Sequence, residues 1–119
     1  MATARTTPLV TSEIGATSLL TGITVIDPGG AIPLHFHNCE ESVIVLEGSA
    51  IVLIDGAEYE LGPGDTTWLP ADLPHCFLNP SATAILRILW IYASIDATRT
   101  LIASGETQRV DRERMRGEG

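Results

Sequence analysis

The chain has 119 residues, 45% of them hydrophobic, with a formal net charge of −8 and no lysine. This length and a mean hydropathy of +0.22 exclude general disorder and fit one compact domain with a moderate core. Between Glu13 and Asp96 eleven acidic residues stand against a single arginine, Arg87, so the body repels phosphate backbones and nucleic-acid binding is not expected.

Residues 1–12 read as an N-terminal leader or an edge strand, including one donated to a partner. They hold no apolar segment after their charge, and no run in the chain reaches the ~18 apolar residues of a membrane span, so a cytoplasmic protein without membrane contact is expected. The domain proper is read as 13–104. Thr17 to Ile26, rich in Leu, Ile, Val and Thr, is expected as a strand that stops at Asp27-Pro-Gly-Gly30. Further strands are expected over Ala31–His37, Ser42–Glu47, Ser49–Ile54 and Ala57–Leu61. Asp55-Gly56 should make a tight hairpin in which both central residues take positive φ. Thr66–Leu69 is a short strand, Pro70 to Pro74 is a loop, and His75 opens a strand ending near Asn79-Pro80. Ala82 to Tyr92 is a long apolar strand. Thr98 to Ala103 is a last strand or short helix, and 105–119 is a polar, charged tail carrying Arg109, Arg112, Arg114 and Arg116. Short strands separated by glycine and proline turns give an all-β sandwich or barrel.

The chemistry concentrates in few residues. His35 and His37 are two apart, so an extended strand sets both on one face with Phe36 opposite. Glu41 follows four residues on, and His75 is the third and last histidine of the chain. Three neutral imidazoles and one carboxylate leave a divalent ion with a net charge near +1 and, in an octahedral site, two open positions. A site with open positions is catalytic in type, since structural zinc is usually closed by four ligands that include cysteine. Alternation favours Glu41 over Glu40 as the ligand, with Glu40 solvated. Cys39 and Cys76 are expected as reduced, packed thiols. Imidazoles must be neutral to ligate, so metal binding is expected to weaken near pH ~5–6.

The spacing Gly29-x5-His35-x-His37-x3-Glu41-x6-Gly48 resembles the first cupin motif position for position. Gly64-x5-Pro70-x-Asp72-x2-His75-x3-Asn79 resembles the second, with Asp72 at a turn position where the family usually has glycine. The resemblance implies a double-stranded β-helix, a jelly-roll barrel whose mouth holds one divalent metal ion (Fe, Mn, Ni, Cu, Co or Zn) on His35, His37, Glu41 and His75. It also implies a homodimer acting on a small-molecule substrate. Three functions follow from it. A metal-dependent dioxygenase acting on a small chelating substrate is preferred. The second is a non-redox lyase, decarboxylase or isomerase, in which Glu41 leaves the metal transiently as the catalytic base. The third is a small-ligand-binding module without turnover. Around the metal, Phe77 shares the parity of His75 and is expected inside. Trp68, Trp90 and Tyr92 are read as core or dimer interface rather than pocket wall, with Tyr92, Thr67 and Cys39 the few polar candidates for the interior. Arg87 either anchors a substrate carboxylate inside or pairs with an acid outside, and the outer position is preferred.

Overall fold

A computed structural model describes residues 3–112; the part of the expected tail beyond them, with Arg114 and Arg116, lies outside the described residues. Among the described residues eleven strands form: β1 Ala4–Val10, β2 Leu20–Ile26, β3 Ala31–His37, β4 Glu41–Glu47, β5 Ala50–Ile54, β6 Ala57–Leu61, β7 Thr66–Leu69, β8 His75–Leu78, β9 Leu86–Tyr92, β10 Thr98–Leu101 and β11 Thr107–Arg109. They make two antiparallel sheets, β1-β2-β9-β4-β7 and β11-β10-β3-β8-β5-β6, the jelly-roll arrangement. The first stretch thus pairs within its own chain, Ala4 opposite Ile26 and Pro8 opposite Gly22. In the expected tail, Thr107–Arg109 pair with β10 and Val110 is buried.

Period-two alternation produces the core. In β2 and β9 every second residue is buried, so Leu20, Ile26, Leu86, Ile88, Trp90 and Tyr92 face the interior while Arg87, Leu89 and Ile91 face outward. Val43 and Val45 on β4 join them from the same sheet, and Val52 and Phe77 close the core from the other. Each fully buried aliphatic side chain of this kind stabilises the fold by ~1.5–3 kcal/mol before entropy is counted.

Two expected strands begin later than read. Thr17–Leu19 stay out of β2, following a 3-10 turn at Ser12–Ile14. Residues 82–85 stay out of β9 because Ser81 Oγ accepts from the amides of Thr83 and Ala84, a local turn that competes with the ladder. The Asp55-Gly56 hairpin forms as expected, with φ of 50° and 85°. Asp72 takes φ 67°, so it occupies the left-handed turn position that glycine usually fills. Gly48 is irreplaceable for two reasons: its φ is 87°, and a Cβ there would run into the carbonyl oxygen of Ile85.

Candidate metal centre

The three histidines come from neighbouring strands of the six-stranded sheet. His35 and His37 lie on β3, and His75 opens β8 directly opposite His35. A register shift between Ile32 and His35 lets both residues point inward despite their odd spacing, and Pro33, which has no N–H to lend a ladder, sits inside it. The loop before β8 is tied to the end of β3 by Asp72 N–H donating to the His37 carbonyl at 2.7 Å. Glu41 opens β4 in the opposing sheet, where it lies opposite Tyr92 of β9. The site therefore forms between the two sheets. His35, His37, His75 and Glu41 are all at most 5% exposed.

The hydrogen bonds set the histidine tautomers. Nδ1 of His35 bonds the Pro33 carbonyl at 2.6 Å, Nδ1 of His37 the Thr98 carbonyl at 3.0 Å, and Nδ1 of His75 the Leu73 carbonyl at 2.9 Å. A carbonyl only accepts, so each Nδ1 carries the proton and each neutral ring turns an Nε2 lone pair inward. Nε2 of His35 and His37 are 3.1 Å apart, and Glu41 Oε1 is 3.4 Å from Nε2 of both His37 and His75. Glu41 Oε1 and His75 Nε2 are buried without a hydrogen-bond partner. Facing lone pairs and orphaned acceptors repel one another unless a cation sits among them. The donors fit a divalent metal ion, and ligand atoms of the three histidines lie within 4.8 Å of one another. Burial holds the His35 imidazole down at about 3, with the charges of His75 and Arg99 adding to it. Burial likewise keeps His37 well below its ordinary range. Both rings stay neutral to lower pH than free histidine, which shifts proton competition at these two ligands below the expected pH ~5–6. Burial also raises the Glu41 carboxyl, partly offset by His75 and Tyr92.

The cavity, about 30 Å³ in volume, is lined by His35, Glu41 and His75 together with Ile32, Val43, Phe77, Ile88, Trp90, Tyr92 and Arg99, among others. Phe77 is inside, as its parity implied. Trp90 and Tyr92 are pocket walls as well as core, which corrects their reading as core or interface alone. Tyr92 hydroxyl lies 3.3 Å from His37 Nε2 and hydrogen-bonds the Glu41 carboxyl. Trp90 Nε1 donates to Thr24 Oγ1 at 2.9 Å, and Gly22 beneath it is required, since a Cβ there would run into the indole. Thr67 donates to the Val43 carbonyl and does not line the cavity, and Cys39 and Cys76 are free thiols raised by burial. Trp68 is outside, donating to exposed Glu40 at 2.7 Å. Arg87 is also outside, paired with Glu47 at 3.1 Å.

Arg99 is the residue that sequence reasoning passed over. It is 8% exposed on β10, opposite His37. Its only signal was a lone arginine in the short run Thr98-Arg-Thr-Leu101, too short to show alternation.

Comparison with known proteins adds the lineage. The chain is 36% identical over 74 residues to the polyketide synthase CurC of Streptomyces cyaneus, covering 61% of this chain and 48% of CurC. It is 40% identical over 50 residues to the quercetin 2,3-dioxygenase of Bacillus subtilis, covering 41% of this chain and 15% of that enzyme. The chain thus spans about half the length of CurC and much less of the dioxygenase. The structure of the polyketide cyclase RemF from Streptomyces resistomycificus superposes with a TM-score of 0.72 at 25% identity, covering 90% of this chain and 70% of RemF. Residues 22–92 match the cupin domain family. With its two antiparallel sheets and inward-facing histidines, the chain belongs to the cupin family.

Proposed function

We propose that the chain is a divalent-metal-dependent enzyme that takes a small substrate chelating through two oxygens, of the polycarbonyl or phenolic kind, and moves protons on it. His35, His37, His75 and Glu41 hold the ion, which supplies Lewis-acid polarisation of a substrate oxygen. The observation that carries the reading is Tyr92: a buried phenol in contact with both His37 and Glu41 gives the site a proton donor and acceptor beside the ligands. Tyr92 holds a proton on its hydroxyl at the cavity wall, and Glu41 can accept one on its carboxylate. Ile32, Val43, Phe77 and Ile88 exclude water around them. The names of CurC and RemF support carbonyl-rich substrates of the polyketide type.

This proton-transfer reading displaces the dioxygenase as the preferred function, because it uses a group in the cavity that oxygen chemistry does not require. The dioxygenase remains the second reading. Three imidazoles with a carboxylate suit redox metals, and the likeness to a quercetin dioxygenase favours it. Elemental analysis followed by oxygen-electrode traces with diketones and phenols separates the two. Substrate consumption without oxygen uptake, slowed roughly 100-fold or more in Tyr92→Phe at unchanged metal content, is the expected result. Stoichiometric oxygen uptake would establish the dioxygenase. For the ligand role of Glu41, Glu41→Gln should lower affinity for Mn more than for Zn, and equal losses would contradict it. For assembly, we propose a homodimer through the outward face of the five-stranded sheet, where Ile23, Leu89 and Ile44 line up across β2, β9 and β4. Sedimentation velocity tests it.

A further inference from the structure

The cavity has a charged wall that the metal ligands do not account for. Arg5, Arg87 and Arg109 lie on the outside of the barrel, each in an ion pair with an acid. Arg99, on β10, lines the cavity together with His35, Glu41 and His75, and it is 8% exposed. The β3–β10 register fixes this placement: Arg99 stands opposite His37, and β10 is bound on its other side by β11. Among the described lining residues Arg99 is the cation and Glu41 the acid. A guanidinium is a planar five-donor fork that matches a carboxylate in bidentate geometry, and a low-dielectric wall strengthens the match.

The geometry points to Arg99 as the anchor for a carboxylate on the substrate, making the substrate an organic acid whose carboxylate lies apart from its two chelating oxygens. The inference rests on the reading of the cavity as a site for chelating substrates. It asks only that the guanidinium face the cavity, whatever else it touches. In this arrangement the chelating end meets the histidines, the carboxylate meets β10, and the apolar body lies on Phe77, Ile88 and Trp90.

The test is titration calorimetry of the zinc-loaded protein with three probes that share one chelating diol: catechol, 3,4-dihydroxybenzoate and the methyl ester of 3,4-dihydroxybenzoate. The expected result is that the acid binds roughly tenfold or more tighter than catechol and than its neutral ester. In Arg99→Gln that preference should fall to about unity at unchanged zinc content, and Arg99→Lys should keep part of it. Equal binding of acid and ester by the wild-type protein overturns the proposal without any variant, so it stays testable even if Arg99→Gln does not fold. A preference undiminished in Arg99→Gln, or failure of every probe to bind, overturns it as well. None of these readings uses turnover. A preference for the acid that depends on Arg99, found in a protein that turns over no substrate, would therefore sink the enzymatic reading and leave the anchor standing.

Discussion

The two ends of β9 obey the same alternation and do opposite things. At the Leu86 end the inward residues form an apolar core, with Leu86, Ile26 and Val45 all fully buried and Leu86 opposite Ile26 in register, and buried Asn79 there has its amide satisfied by the carbonyls of Ile26, Asp27 and Ala84. At the Tyr92 end the same face meets Glu41, His37 and Trp90. There the protein buries acceptors with no hydrogen-bond partner, an arrangement that opposes folding and that a bound cation would relieve. One end of the barrel is organised for stability and the other for binding, so substitutions at the two ends should separate the properties.

The largest expected effect is at the polar end. His75→Ala should weaken metal affinity by on the order of 100-fold or more. The melting temperature of the metal-free protein should change little by comparison, since the substitution removes an orphaned acceptor. Elemental analysis and a thermal melt on the same sample check both halves, and a variant that keeps its metal would remove His75 from the ligand set. Leu86→Ala should do the reverse. It should lose ~2–5 kcal/mol in urea unfolding at unchanged metal stoichiometry, and a stability loss well under that range would mean the apolar end is loosely packed.

Gly22→Ala tests the middle of the comparison, where Trp90 is both core and wall. The new methyl group would also lie 2.8 Å from the Thr7 carbonyl oxygen, so the indole must shift. A loss of ~1–3 kcal/mol with altered near-ultraviolet circular dichroism is expected, and an unchanged spectrum would contradict the tight approach.

Acid sharpens the contrast further. His35, held at about 3, and His37, held low by burial, bind fewer protons in the folded chain than in the unfolded one below the ordinary histidine range. Their contribution to metal-free stability is therefore lost as pH falls from ~6.5. Glu41 has the opposite sign, because its raised carboxyl costs stability above its folded value, and that cost is relieved on acidification. Bound metal should survive past pH ~6 and leave only as the fold is lost. Metal release near pH 6.5 from a protein that is still folded by circular dichroism would contradict the neutral-imidazole geometry. The smallest effect is expected outside the barrel. Glu40→Gln removes one end of an exposed contact with Trp68 and should leave metal content unchanged and stability within ~0.5 kcal/mol. A larger shift would mean that this outer face is covered in solution.

Much of this contrast was legible along the chain. Strands are read from alternation, and punctuation by Gly48, Asp55-Gly56 and Asp72 reports backbone angles that most residues avoid; both signals are local. The convergence of His35, His37, Glu41 and His75 was readable too, because two spacings place them on inward-facing positions near strand ends. Strand starts were misjudged at Thr17 and Ala82, where side-chain and turn hydrogen bonds compete with the ladder within a few residues. Trp90, Tyr92 and Arg99 were decided only in three dimensions. β9 is apolar on both faces, so its alternation cannot say which face lines a cavity, and the choice falls to the pairing of β9 between β2 and β4. Arg99 is placed by a ladder between segments distant in sequence, β3 and β10. Local chemistry determined the fold class and the grouping of candidate ligands, whereas non-local strand register decided which other groups share their cavity.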